Sequence, residues 1–532
     1  MQLAEIFFKK KLIFLFIGTI LVATGILYVG LPASPDQLEL DYLAGLVLDG
    51  GTPYVDFVDN NWPGGYWLHM ISTAFFGHTL HSWRVFDYLI MLAGLYFLCD
   101  LLRHTSGPQS ALWAAVLYPG LYTTAVSFWF PGQRDAVIAN FFWIILWLHW
   151  RAWKTGRPRW QLLTGFLLAL ATLVKPTAIL IGPLLVLHGL WLSIRNNRSF
   201  LSEFPAQEVT VTAAGAGTLI IAFAGIIFSG TSVDSLLDSV WYFNAYPQAV
   251  GRIATRALMQ KALSIHMISW HWITIVSCIA AGWLFFIDQH LDAGIKILFV
   301  VVWIAGWGSY LLQGRGYPYH LAIVYLAMLP FLFIGLGRLS QTLPTISSLP
   351  CRFFAVLVIG VVLAGTAKKY TSQYRNTFCW LTGQINTVSY YDKFSAGDGM
   401  TLAGVDALLP KLEKAVAPGE TLLVIGTQSA LNYLLQRRQP TRFYYFPIFL
   451  EARVPSAMVT RWNIAFRKEI KVNHSPMALI NRTVFEKPPY SQNKMTLKSL
   501  RLLQTELAIN YTKLYTIGKT DLYRRNSLIL MN

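Results

Sequence analysis

The sequence predicts a polytopic α-helical membrane protein with a soluble α/β domain at its C-terminal end. Three observations lead there. Charged residues make up only 13% of the 532 positions while 55% are hydrophobic, where soluble domains carry roughly a quarter charged residues. Apolar runs recur that approach the ~20 residues needed to cross the hydrocarbon of a bilayer. From about residue 370 onward those runs give way to short apolar patches separated by Pro, Gly and charges.

The apolar segments fall at roughly 11–31, 82–101, 111–128, 136–150, 161–174, 177–194, 211–229, 269–287, 297–312, 318–337 and 353–367, about eleven spans. The first follows a basic FFKKK but exceeds an ordinary signal-peptide core, so it reads as a retained helix. Lys175-Pro176 should break the chain between the fifth and sixth segments, because proline lacks an N–H and restricts the residue before it. With the N-terminus in the cytoplasm, inner loops hold thirteen Lys/Arg and outer loops seven, the bias that membrane insertion imposes. The C-terminus then lies outside. A net charge of +17 fits basic residues facing anionic lipid headgroups rather than nucleic acid. The four cysteines lie far apart and suggest neither disulfide framework nor metal cluster.

This gives a membrane domain over 1–368, with outer loops at 32–81, 129–135, 230–268 and 313–318, and an extracytoplasmic α/β domain over 369–532. In the latter, VDALLPKLEKAV, SALNYLLQ and NKMTLKSLRLLQTEL read as helices. TLLVIG, RFYYF and the tail TKLYTIGKTDLYRR read as strands. GTQS after TLLVIG lacks the spaced glycines of a dinucleotide fingerprint. Residues 241–263 have an amphipathic pattern that fits either a membrane-surface gate or a plain connector helix.

Four polar clusters fall on the same predicted face. They are SPDQLELD with DGGTPYVDFVDNNWPGG, then PGQRDA, VKPT and QGRGYPYH. Ionisable groups at membrane edges are costly unless solvated or paired, so their gathering points to function. Asp36, Glu39, Asp41, Asp49, Asp56, Asp59 and Asp135 supply carboxylates able to deprotonate a hydroxyl or hold a divalent cation. Arg134, Lys175, Arg315 and His320 supply donors suited to a phosphate. Such a set would attack a sugar carried on a lipid phosphate, stabilising the departing charge. Plainer readings exist for each residue. Asp36 fits a helix cap, Asp56 and Asp59 fit turn formers, Tyr317 and Tyr319 fit interfacial anchors, and His320 fits a bond to a backbone carbonyl.

At these residues the chain resembles the GT-C superfamily of membrane glycosyltransferases that use polyprenyl-phosphate sugars, and within it bacterial relatives of protein mannosyltransferases and aminoarabinose transferases. The resemblance rests on Asp36, Gly50, Tyr54-Val55-Asp56, Asn60-Asn61-Trp62-Pro63-Gly64, Gly132-Gln133-Arg134-Asp135, Lys175-Pro176 and Gly316-Tyr317-Pro318-Tyr319-His320. It covers most of residues 1–340 and, more loosely, the outer α/β domain. Gln37 stands where many relatives have a second acid, and Trp62 where many have proline. The resemblance implies Asp36 as general base and Asp135 as metal ligand or second acid; the cofactor is either a divalent cation, Mg or Mn, held by Asp36 and Asp135, or none. It implies Arg134, Lys175, Arg315 and His320 as holders of the donor phosphate. Glu39, Asp56, Asn61, Trp62, Tyr317 and Tyr319 would line the substrate pocket. The implied activity is inverting transfer from a polyprenyl-phosphate sugar to an extracytoplasmic lipid, glycan or protein at a bacterial cytoplasmic membrane. A multi-span transporter is the competing class; it calls for internal repeats and mid-span charges, whereas the charges here cluster at helix ends. A scaffold would leave the first-loop acids unexplained.

Overall fold

The structure, a computed structural model, describes residues 2–125, 128–195, 204–242, 253–269, 271–288, 291–397, 399–426, 429–444, 456–486 and 494–526. The chain divides into two compact units. The first comprises Met1–Leu31, Arg84–Ile221 and Ile253–Phe378; the second comprises Pro32–Trp83, Ala222–Arg252 and Cys379–Asn532.

In chain order the helices up to Phe228 are α1 (Gln2–Val29), α2 (Pro35–Leu48), α3 (Gly64–Phe76), α4 (Ser82–Thr105), α5 (Pro108–Thr123), α6 (Arg134–Thr155), α7 (Pro158–Val174), α8 (Ile181–Arg195) and α9 (Phe204–Phe228). They continue as α10 (Val233–Leu236), α11 (Thr255–Ser269), α12 (His271–Phe286), α13 (Ala293–Gln313), α14 (Ala322–Thr342) and α15 (Leu349–Leu381). Among the described residues, each of the eleven expected apolar segments lies mostly on helix. Among the described residues, seven helices are long and apolar enough to cross a membrane. The rest are shorter or carry charged ends, as α6 does with Arg134, Asp135, Arg151 and Lys154. The expected gate over 241–263 is described only at its ends, where residues 255–263 are the start of α11; 243–252 lie outside the described residues.

α14 is the axis of the first unit. Its span is buried almost throughout, and it packs against α5, α6, α12 and α13. The span Glu208–Phe228 is the opposite case, with only 6% of its apolar window buried. Apolar surface of that extent is what a bilayer covers. α7 ends where proline dictates: Lys175 adopts φ −153, ψ 119, outside the helical region, and a short 3₁₀ turn over Pro176–Leu180 leads into α8. α7 and α9 meet at Gly165, where a Cβ would collide with the Val211 carbonyl and lie 2.9 Å from Ala214. Gly165→Val should therefore force the two helices apart at a cost of about 1–3 kcal/mol or more. A lowered melting temperature of the purified protein is the expected result; an unchanged one would contradict the crossing.

The second unit holds α2, α3, α10 and most of the C-terminal chain. There α16 (Thr387–Tyr391), α17 (Leu402–Ala415), α18 (Ala430–Leu435), α19 (Ser456–Val472), α20 (Thr483–Glu486) and α21 (Lys494–Asn510) surround two small sheets. β1 (Ser395–Gly397) pairs with β2 (Met400–Thr401). β3 (Leu422–Ile425), β4 (Met477–Asn481), β5 (Tyr511–Ile517) and β6 (Thr520–Arg525) form a four-stranded sheet in the order β3-β4-β6-β5. β3 and β4 run parallel, and β5–β6 closes as an antiparallel hairpin. Leu423, Ile425, Ala478 and Ile480 on the strands meet Val459, Trp462 and Phe466 of α19 and Leu500, Leu503 and Leu507 of α21. The strand expected over RFYYF is not formed at Arg442–Tyr444, and its last two residues lie outside the described residues. Backbone and side chain of Arg442 are engaged elsewhere: its carbonyl accepts the Val58 N–H at 2.9 Å, and its guanidinium pairs with Glu469 at 2.6 Å.

Candidate functional site

The second predicted outer loop leads into α6, and a buried network in the first unit fixes its shape. Arg84, at 0% exposure, donates to the carbonyls of Pro131 at 2.7 Å and Phe128 at 2.8 Å. It also donates to the Tyr28 hydroxyl at 3.1 Å. The Asp87 carboxylate accepts from Tyr28 at 2.5 Å and Tyr122 at 2.7 Å. The loop turns at Gly132, whose φ of +77 is open to glycine at no steric cost. α6 then begins at Arg134, so Asp135 sits in the first turn of a helix, where the macrodipole favours a carboxylate.

Asp135 is 1% exposed and Lys175 7%, and the two form a hydrogen-bonded ion pair. The other Asp135 oxygen accepts from the Gln313 amide at 3.2 Å, and that amide also donates to Ser309 at 3.1 Å. Ser309 is joined in turn to Thr177 at 2.7 Å. Three distant sequence signals thus converge: the start of α6, the Lys175 break and the end of α13. Arg134 and Arg315 lie near enough for their charges to act on Lys175, and Lys175, Arg315 and Arg134 all act on His320. His320 is buried, its Nδ1 lacks a hydrogen-bond partner among the described residues, and its ring lies edge-on to Tyr317 and Tyr319 at 5.4 and 4.7 Å. The cluster is therefore short of negative charge.

Burial brings the Lys175 ammonium down to about 8; Asp135 opposes that shift, and Arg134 and Arg315 add to it. The lysine is charged below that value and loses its proton above it. An anion held by Lys175 should accordingly bind more weakly as pH rises from about 7 to about 9. Lys175→Arg should remove that dependence, since a guanidinium stays protonated. Titration of anion binding by calorimetry on both proteins checks this; a parallel pH profile in the two would contradict it.

The second unit carries the remaining expected residues. Asp36 is half-buried in the first turn of α2. It is not the cap: Ser34 takes that position, and the Gln37 side chain accepts the Ser34 N–H at 2.8 Å. Glu39 lies half-buried one turn along. α2 is tied to α3 by Asp41, which accepts from His69 Nδ1 at 2.7 Å, while the His69 ring stacks on Trp83 at 3.5 Å. In the loop between these helices Asp56 accepts the Thr52 N–H at 2.7 Å, as a turn former does. Asn61 donates to Asp59 at 2.9 Å, and the Asn61 carbonyl accepts the Tyr54 hydroxyl at 2.8 Å. Tyr54 is buried at φ +60, a conformation that a bulky side chain adopts only when its surroundings hold it there. Trp62 packs edge-on against Phe223 at 5.2 Å.

Asp135 is a poor ligand for a divalent cation in this setting. One of its oxygens faces an ammonium and the other an amide N–H, and two guanidinium groups act on the same neighbourhood. Among the described residues no three His, Cys, Asp or Glu side chains come together in a metal-holding group.

Sequence reasoning singled out the members of the cluster but not the pairing of Asp135 with Lys175, nor Gln313 as its second donor. It missed Arg84 and Asp87 altogether. The available signal was their ionisable character at the edge of an apolar span, which demands partners. Arg84→Met should leave the helices in place but release the 128–131 carbonyls. Faster hydrogen exchange over residues 128–135, with little change elsewhere in the bundle, is the expected reading. Unchanged exchange there would show that Arg84 does not hold the loop.

The family described as dolichyl-phosphate-mannose-protein mannosyltransferase matches residues 60–223. No curated protein sequence matches the chain. Among solved structures, ArnT from Cupriavidus metallidurans bound to undecaprenyl phosphate shares 12% identity at a TM-score of 0.56, covering 97% of this chain and 98% of that one. The apo form of the same protein gives 14% identity and a TM-score of 0.55 over the same shares. The oligosaccharyltransferase AglB from Archaeoglobus fulgidus, in complex with an inhibitory peptide and a dolichol-phosphate, gives 12% and 0.50 over 97% of this chain and 75% of that one. The fold is that of ArnT.

Proposed function

We propose that this protein transfers a sugar from a polyprenyl-phosphate donor to a hydroxyl-bearing acceptor on the extracytoplasmic face of a bacterial cytoplasmic membrane. In that reading the N-terminus is inside and residues 369–532 are outside. The observation that carries it is the cationic cluster around one buried ion pair: Lys175, Arg134 and Arg315 against Asp135, with the buried His320 ring beside them. A buried ammonium flanked by two half-buried guanidinium groups is stabilised by an anion, and a phosphate monoester suits guanidinium and ammonium donors together. Donors carried by three separate stretches of the chain would fix its orientation as well as its charge.

The reaction follows from that assignment. The acceptor hydroxyl gives its proton to a carboxylate, for which Asp36 is the candidate, as its oxygen attacks the anomeric carbon. The carbon–oxygen bond to the phosphate breaks on the opposite side, and the departing polyprenyl phosphate keeps the electron pair. Attack opposite the leaving group inverts the anomeric configuration. Arg134, Lys175 and Arg315 stabilise the charge that grows on the phosphate, where preorganised donors contribute most. Asp135 keeps the Lys175 ammonium aimed at that position. The half-buried Glu39 and Trp62 with Asp56 and Asn61 would contact the acceptor or sugar, and Tyr317 and Tyr319 would flank the phosphate beside His320. Were a divalent cation bound, Asp36 is the carboxylate that would hold it and it would offset charge on the donor phosphate; loss of turnover in chelator would reveal it. The likeness to ArnT bound to undecaprenyl phosphate supports the choice of a lipid phosphate over a nucleotide.

The test is purified protein incubated with a panel of polyprenyl-phosphate sugars and envelope extracts as acceptors, with release of free polyprenyl phosphate as readout. Acceptor-dependent release from one of the donors is expected. Asp36→Asn should lower it by about a hundredfold or more while expression and membrane insertion stay intact. Release by the variant at the normal rate would remove Asp36 from the chemistry. No release from any donor, together with uptake of a solute into vesicles, would replace the enzyme by a transporter.

A further inference from the structure

The other end of α6 carries a second cavity that the transfer reaction does not use. It measures about 340 Å³ and opens between the C-terminal turns of α4, α6 and α8 and the first turn of α13. That volume lies within the ~300–1,000 Å³ range of small-ligand sites. Twenty residues of α6 separate Arg134 from Lys154, ~30 Å at ~1.5 Å per residue, about the thickness of the hydrocarbon. The cavity therefore sits at the height of the opposite leaflet's headgroups.

Its buried wall is a histidine pair with determined proton positions. His188 Nε2 lies 2.9 Å from the Gly294 carbonyl, which can only accept, so that nitrogen carries the proton. For neutral rings, His188 Nδ1 then accepts from His149 Nε2 at 3.1 Å. This leaves His149 Nδ1 as an acceptor in the lining, in need of a donor from the ligand. The rim is cationic. Lys154 is exposed and lies over the Trp150 ring at 5.1 Å; Arg151, outside the lining, faces the Asp100 carboxylate at 4.0 Å. The nearby carboxylate, Asp292, is engaged by Arg195 at 2.9 Å and by the Gly294 N–H at 2.7 Å. Leu298 and Trp153 supply an apolar side.

We propose that this cavity binds a phosphodiester bearing free hydroxyls, as the headgroup of a glycerol-headed anionic phospholipid presents. The phosphate meets Lys154, a glycerol hydroxyl donates to His149 Nδ1, and the first acyl carbons lie on Leu298 and Trp153. A choline head offers no hydrogen-bond donor, and an ethanolamine head would bring an ammonium against Lys154. The inference is independent of the transfer reaction.

Native mass spectrometry of the full-length protein, exchanged from detergent into mixed micelles of stated lipid, provides the test. Phosphatidylglycerol should be retained over phosphatidylcholine and phosphatidylethanolamine. Lys154→Gln, at an exposed position, should lower that retention by about tenfold, the loss of one charge-assisted hydrogen bond. His149→Asn should lower retention of phosphatidylglycerol but not of phosphatidic acid, which lacks the glycerol hydroxyls. Competition by soluble glycerol 3-phosphate would support the same site with a soluble ligand; no competition assigns it to lipid. Equal retention of all four lipids, or phosphatidylglycerol retention unchanged in both variants, would overturn the proposal.

Discussion

The ion pair between Asp135 and Lys175 is the constraint around which the membrane unit is organised. Removing two charges from water costs several kcal/mol each, and only close pairing with further hydrogen bonds offsets that cost. Asp135 receives such support from Gln313, yet the pair does not close the electrostatic account. Arg134 and Arg315 remain beside it, so the neighbourhood holds cations in excess of its one carboxylate. A protein tolerates that arrangement when a bound anion completes it. The phosphate proposed for this site would thus serve its stability as well as its chemistry.

The geometry depends on elements that end at the right height. Proline stops α7 so that Lys175 is presented from an extended residue instead of from a helix face. The Arg84–Asp87–Tyr28–Tyr122 network holds the loop that delivers Asp135 to the first turn of α6. These are rigid supports of the kind that preorganised sites require. In the second unit, a similar logic anchors α2 through Asp41, His69 and Trp83, which fixes the helix that bears Asp36.

Much of this was legible from the chain alone. Membrane helices announce themselves locally, because apolar length is a property of a contiguous run; all eleven segments lie mostly on helix for that reason. The break at Lys175 was readable from one proline. Pairing was harder to foresee. Asp135 and Lys175 stand forty positions apart, and a sequence says that both need partners without saying that each is the other's. That blind spot led to Asp135 being read as a cation ligand, where the structure sets an ammonium against it. Arg84 was hidden for a related reason: it looks like an interfacial charge until its carbonyl partners are known. RFYYF failed as a strand because alternation of aromatic residues cannot reveal that Arg442 is claimed by Val58 and Glu469. The capping role of Gln37 likewise gives a structural use to a residue that first looked like a departure from pattern.

The most direct measurement is an electron cryo-microscopy structure of the protein in lipid with a polyprenyl phosphate bound. The account predicts density for the phosphate within hydrogen-bond reach of Lys175, with Arg315 and Arg134 turned toward it and the Asp135–Lys175 pair intact. A phosphate seated elsewhere, with the Lys175 ammonium still satisfied by Asp135 alone, would contradict it.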